Sequence, residues 1–124
     1  MDGSRMQEDK STVIVEDDYI ISTMWSMLLA QENIPVAGTA GDPYEAIDLI
    51  RRTRPSYILM DVMLGSDMTG VDVARIVLGE MPDTRVIFIT ASAEPANIAL
   101  MDSLNASRVL FKPVNEDQLL GIYQ

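Results

Sequence analysis

Apolar runs of strand length alternate with amphipathic stretches of helical length five times along this chain, the signature of an open parallel sheet with crossover helices. Four of the runs end on polar residues. Glu16-Asp17 follows Val13-Ile14-Val15, and Asp61 follows Tyr57-Ile58-Leu59-Met60. Thr90 follows Val86-Ile87-Phe88-Ile89, and Lys112-Pro113 follows Val109-Leu110-Phe111. In an open α/β sheet, ligands bind in the crevice outside the carboxyl ends of the strands, so these residues are expected to meet there. Three carboxylates, a hydroxyl and an ammonium in one crevice point to a divalent cation and a phosphoryl group.

The pattern predicts strands over about Thr12–Val15, Pro35–Thr39, Ser56–Met60, Arg85–Ile89 and Arg108–Phe111. The first helix is expected from about Asp18 to Gln31, with Ile20, Ile21, Met24, Met27 and Leu28 at helical spacing. Asp42-Pro43 reads as an N-cap followed by proline at the first helical position, opening a helix with an Ala46, Ile47, Ile50 stripe. Further helices are expected over about Gly70–Gly79 and Pro95–Leu104, and a last one from an Asn115 cap to Gln124. The run Tyr57 to Met60 is apolar throughout, as a central strand covered on both faces must be.

With 124 residues, 48% of them hydrophobic and 23% charged, the chain suits one globular domain over 11–124, preceded by a polar segment, 1–10, expected to be flexible. No apolar stretch reaches the roughly 18 residues of a membrane span, and residues 1–10 lack the apolar core of a signal peptide. A cytoplasmic protein is the expectation. A net charge of −10 disfavours direct contact with nucleic acid. The absence of cysteine and histidine excludes Ser-His-Asp triads and zinc sites built on nitrogen and sulfur, and means the chain cannot itself carry a phosphohistidine.

Glu16 and Asp17 can diverge from one bend toward a common point with Asp61. Left bare, the cluster would repel itself and push at least one carboxylate pKa upward. An all-oxygen set of few carboxylates is the usual arrangement for magnesium, with manganese or calcium as other candidates. Asp61 is then either a third ligand only or a nucleophile toward phosphorus. Lys112 would neutralise phosphoryl oxygens by charge, and Thr90 would offer its hydroxyl as a donor. The Lys112-Pro113 bond is of the type that can be cis at low cost.

Taken singly, such residues are more often caps, strand ends or loop positions than ligands; the conjunction at the ends of consecutive strands carries the reading. It resembles the receiver domains of bacterial two-component response regulators. The motifs are Val13-Ile14-Val15-Glu16-Asp17-Asp18, Ile58-Leu59-Met60-Asp61-Val62-Met63-Leu64 with Gly70-Val71-Asp72, Ile87-Phe88-Ile89-Thr90-Ala91, and Phe111-Lys112-Pro113. The resemblance implies a flavodoxin-like (βα)5 doubly wound sheet of order 2-1-3-4-5. It further implies phosphoryl transfer to Asp61 from a sensor histidine kinase or histidine phosphotransfer protein. Glu16, Asp17, Asp61 and the backbone carbonyl of Met63 would hold Mg2+, with Mn2+ as a substitute, while Thr90 and Lys112 contact the phosphoryl group. The output would be contact with a downstream protein target or a missing output domain, homodimerisation is possible, and the chemistry would be self-catalysed only.

Three departures bear on this expectation. The loop after Asp61, with Gly65-Ser66-Asp67-Met68-Thr69, is one residue longer than in the commonest members. Val109 stands where the family usually has a switch aromatic, so switching is expected to rely on Thr90 and the loop after it. Met63 and Ser92, at positions that tune phosphoryl lifetime, offer neither carboxylate nor amide to position water, which favours a long-lived phosphoryl state. Trp25, Met24, Met27 and Met6 either fill the core or form a docking patch on the first helix. The rivals are a receiver-like interaction module working without phosphorylation, a phosphatase of the haloacid dehalogenase type, and a nucleotide-binding protein of flavodoxin type. The phosphatase would need a second Asp where Met63 stands, and the nucleotide binder a glycine- or hydroxyl-rich loop where Glu16-Asp17-Asp18 stands.

Overall fold

The computed structural model describes residues 9–104 and 106–124; the expected flexibility of the amino-terminal segment, and Met6, fall outside this range except for residues 9 and 10. Five strands, β1 (Thr12–Val15), β2 (Val36–Ala40), β3 (Tyr57–Met60), β4 (Arg85–Thr90) and β5 (Arg108–Phe111), form one parallel sheet in the order β2-β1-β3-β4-β5. Five helices connect or follow them: α1 (Tyr19–Gln31), α2 (Pro43–Thr53), α3 (Gly70–Glu80), α4 (Pro95–Ser103) and α5 (Glu116–Gly121). The flavodoxin-like architecture expected from the sequence is therefore the one found.

Successive strand residues point to opposite faces, and the core divides accordingly. Val13, Val15, Ile58, Met60, Val86 and Phe88 pack against α2, α3 and Met101 of α4. Ile14, Leu59, Ile87 and Ile89 pack against Trp25 and Leu29 of α1 and Leu119 near the chain end. With both faces covered, β1 and β3 are buried along their whole length. On α2, Ala46, Ile47 and Ile50 are buried as the spacing predicts, and Asp42 caps the helix by accepting from the amides of Tyr44 and Glu45.

Two expectations are corrected. The expected stripe on α1 is only half right: Ile21 and Leu28 pack partly against the core, but Ile20, Met24 and Met27 are exposed, and the buried residues are Ser22, Trp25 and Leu29. The helix is apolar almost all round, so periodicity cannot choose a face; the large indole takes the core position and a serine beside it is buried with its hydroxyl bonded to the Tyr19 carbonyl at 3.2 Å. The last helix also stops at Gly121 and does not run to Gln124. Beyond it Tyr123 is buried, its ring 4.6 Å from that of Tyr57 and its hydroxyl 2.8 Å from the Thr12 hydroxyl. The backbone tightens there into i→i−3 turns, Ile122 to Leu119, Tyr123 to Leu120 and Gln124 to Gly121, while the Tyr123 ring makes these tertiary contacts.

Candidate functional site

At the end of β1 the three consecutive acids take separate positions. The Glu16 amide donates to the Ala40 carbonyl at 3.0 Å, continuing the pairing with β2, and its side chain is fully buried. Asp17 follows at the bend and is exposed. Asp18 is the α1 N-cap, accepting from the amides of Ile20 and Ile21, and its own amide donates to Glu16 Oε2 at 3.1 Å. Capping thus falls to Asp18, which leaves Glu16 and Asp17 for the crevice.

Asp61 follows β3, where its amide donates to the Val15 carbonyl at 3.0 Å. Its carboxylate is nearly buried; Oδ1 accepts from the Met63 amide at 3.3 Å and Oδ2 from Lys112 Nζ at 3.0 Å. Gly70 is a positioning element whose role has no signal in the apolar pattern. A β-carbon there would overlap the Asp61 carbonyl oxygen, so only glycine lets α3 begin directly against the Asp61 backbone. The longer loop between them turns through Gly65 in the left-handed region, φ 63°, and is tied to α2 where Tyr44 donates its hydroxyl to the Asp67 carboxylate at 3.2 and 3.3 Å.

Lys112 lies beyond β5, with its amide donating to the Thr90 carbonyl at 2.9 Å and its peptide bond to Pro113 cis. Its ammonium bridges both buried acids, 2.5 Å from Glu16 Oε1 and 3.0 Å from Asp61 Oδ2, and lies 6.0 Å from the centre of the Trp25 ring. Burial pushes the Glu16 carboxyl up to about 7, against the pull of Lys112 and the Asp18 amide, and the Asp61 charge adds to the rise. For Lys112, burial acts to lower the ammonium pKa, but the hydrogen bonds to Glu16 and Asp61 and their charges outweigh it, and the net shift is upward. One cation serves a cluster with an excess of acid.

The fold therefore brings Glu16, Asp17, Asp61 and Lys112 together. One carboxylate oxygen from each of the three acids lies within 4.8 Å of the others, a spacing and an all-oxygen donor set that fit a hard divalent cation. The Met63 backbone lies beside the cluster, its N–H donating to Asp61 Oδ1. Thr90 is the last residue of β4 and fully buried, its Oγ1 accepting from the Ser92 amide at 3.2 Å. Ser92 in turn accepts from Asn97 Nδ2 at 2.8 Å, a contact without a signal in the apolar pattern because it joins a loop to the first turn of a helix. No described helix is long and apolar enough to cross a membrane.

Comparison with known proteins bears on this geometry directly. Residues 12–124 match the response regulator receiver domain. The chain is 38% identical over 81 residues to the probable transcriptional regulatory protein TcrX of Mycobacterium tuberculosis, an alignment covering 65% of this chain and 34% of that protein. The chain spans roughly a third to a half of the length of the first curated relatives it matches. Among solved structures it superposes on a CheY-like response regulator receiver domain protein from Methanospirillum hungatei with a TM-score of 0.85 at 26% identity, covering 92% of this chain and 90% of that one. The Vibrio cholerae chemotaxis protein CheY4 gives a TM-score of 0.84 at 26% identity, covering 94% and 98%. With sheet order, acid cluster and bridging lysine in agreement, the chain belongs to the response regulator receiver domains of two-component systems.

Proposed function

We propose that this receiver accepts a phosphoryl group on Asp61 from a phosphohistidine of a sensor histidine kinase or phosphotransfer protein and thereby switches its contacts with other proteins. The observation that carries the reading is the Asp61 carboxylate, nearly buried at the end of β3 with Lys112 Nζ 3.0 Å from one of its oxygens. These 124 residues contain no histidine, so the donor ring lies outside them. A carboxylate oxygen of Asp61 attacks phosphorus and the P–N bond breaks. Its electron pair returns to the imidazole nitrogen, which leaves a neutral ring when the other nitrogen already carries a proton. No base on this chain has to move a proton.

Lys112 pairs with one phosphoryl oxygen, and Thr90 donates its hydroxyl to another. Mg2+, or Mn2+ in its place, held by Glu16, Asp17, Asp61 and the Met63 carbonyl, supplies the remaining positive charge against the phosphoryl oxygens. Neither the Met63 nor the Ser92 side chain offers a carboxylate or an amide to position water for hydrolysis, which favours a long-lived phosphoryl state. Loss of label within seconds at room temperature would contradict that.

The donor docks beside the crevice. Tyr19, Ile20, Met24 and Met27 leave α1 with an exposed apolar face, continuous with a groove of about 320 Å³ lined by Ile21, Met24, Trp25, Lys112, Pro113 and Val114. A helical partner surface with an apolar stripe fits this face. The output is a contact with a downstream protein or a further domain in the cytoplasm, with Leu100 and Phe111 as exposed apolar residues on the α4 and β5 side, where a homodimer would also form.

Intact-protein mass after incubation with magnesium and a small-molecule phosphodonor tests the reading. One phosphoryl gain that requires magnesium and disappears in Asp61→Asn is expected. No gain from either the small donor or a phosphorylated histidine protein, in folded protein, would sink it and leave an interaction module that works without phosphorylation.

A further inference from the structure

Four of the five helices begin on a side-chain cap. Asp18 and Asp42 cap α1 and α2, and reciprocal capping boxes, Thr69 with Asp72 and Asn115 with Gln118, start α3 and α5. The exception is α4. Its N-cap, Glu94, makes no side-chain cap bond, and Met101 is its one fully buried residue. Its third residue, Asn97, stands where a capping box would place the reciprocating side chain. It reaches instead to Ser92, two residues before the cap, donating Nδ2–H to the Ser92 hydroxyl at 2.8 Å. The Ser92 amide in turn donates to Thr90 Oγ1 at 3.2 Å. A path of two hydrogen bonds, one through the Ser92 amide and one through its hydroxyl, thus runs from the buried end of β4, across the loop, to the first turn of the one described helix without a side-chain cap.

Resting on the phosphoacceptor reading above, we infer that Asn97 is a positioning residue: through Ser92 it couples the orientation of the Thr90 hydroxyl to the first turn of α4. A threonine hydroxyl accepts one hydrogen bond while donating another. A phosphoryl oxygen on Asp61 is an acceptor for that proton, while the Ser92 amide still needs its own acceptor. When Thr90 turns toward the phosphoryl group, the Ser92 amide either follows or loses its partner. Following is favoured, because it keeps the amide bonded, and it displaces the hydroxyl that Asn97 holds. Because α4 has no cap of its own and little buried area, its first turn yields before the core does. The coupling is reciprocal, so a partner that fixes α4 also fixes Thr90. Val109, half-buried and packed against the core, has no ring through which the same message could travel.

The test follows backbone amide NMR shifts of the whole chain as magnesium and beryllofluoride, a phosphoryl mimic, are added to wild type, Asn97→Ala and Asn97→Asp. The aspartate keeps the tie, because the Ser92 hydroxyl can donate to it; alanine removes it at a position where a helix accepts alanine readily. Expected are shifts at Asp61 in all three proteins, with shifts at residues 97–101 in wild type and Asn97→Asp that are largely lost in Asn97→Ala. Beryllofluoride affinity should fall about threefold in the alanine variant, the scale of one neutral hydrogen bond, and return in the aspartate variant. If Asp61 responds while α4 stays still in wild type, moves equally in the alanine variant, or is not restored by aspartate, the role of Asn97 is overturned alone. If Asp61 fails to respond in wild type, the phosphoacceptor reading falls and takes this inference with it.

Discussion

At the amino ends of β1, β3 and β4, Thr12, Tyr57 and Arg85 stand in register, and at the carboxyl ends of the same sheet Glu16, Asp61 and Lys112 close around one another. Both edges bury polar groups, with different charge balances. At the amino edge the Tyr123 and Thr12 hydroxyls pair at 2.8 Å, the Tyr57 and Tyr123 rings meet, and Arg85 donates to the Tyr57 hydroxyl at 2.7 Å. Neutral groups dominate, and each bond serves stability. At the carboxyl edge three acids face one lysine, and burial leaves Glu16 reluctant to ionise. A fold gains nothing in stability from such crowding, whereas a site that holds a divalent cation, as proposed above, would depend on it. Chemistry and stability are thus assigned to opposite ends of the same strands.

The largest break in this contrast is expected from Lys112→Met. Removing the cation from two buried acids should destabilise the metal-free protein at pH 8 by ~3 kcal/mol, the low end for breaking a buried pair because the ammonium is partly solvated. Urea unfolding measures it, and added magnesium should recover part of the loss. An unchanged midpoint would mean that the bridge contributes nothing.

Glu16 gives the next effect. In the folded protein its carboxyl titrates near about 7, in the unfolded chain near the ordinary 4.5, so between these values the unfolded state binds fewer protons. Metal-free stability should therefore fall as pH rises from about 4.5 to about 7, and Glu16→Gln should flatten that part of the profile. Magnesium, which needs the ionised carboxylate, should bind more weakly below about pH 7 and release protons as it binds there.

Tyr123→Phe probes the other edge. Loss of its hydroxyl bond to Thr12 should cost about 1 kcal/mol at neutral pH, with phosphorylation of Asp61 unaffected. Burial also pushes the Tyr123 hydroxyl up to about 12, while an unfolded tyrosine ionises near 10. Wild-type stability should fall between these pH values, and the phenylalanine variant should lack that decline.

The smallest effect concerns α1. Trp25 is 5% exposed whereas Met24 and Met27 are more than half exposed, so acrylamide should quench the single tryptophan weakly, and a docked partner should change that little. Strong quenching would place the indole on the docking face.

Much of this was legible in the residue order. Strand length, alternation and the chemistry of run ends located Glu16, Asp17, Asp61, Thr90 and Lys112 at one edge, because a parallel sheet places every carboxyl terminus on the same side. The inward face of α1 was not legible, since Ile20, Met24 and Met27 are as apolar as what is buried there. Nor was the burial of Tyr123 beyond α5, which depends on its ring finding Tyr57 and Thr12 more than sixty residues away in sequence.

The sequence by itself determined the α/β class, the acidic crevice and the Asp42 and Asn115 caps, because each follows from local spacing or from which residue types exist. Tertiary structure alone decided that Lys112 bridges Glu16 and Asp61, that Gly70 must leave room for the Asp61 carbonyl, and that Asn97 reaches Ser92 instead of capping its own helix. Such contacts depend on distances between segments that hydrophobic pattern brings to the same neighbourhood but does not orient. Only packing fixes the last few ångströms over which a hydrogen bond or a steric overlap acts.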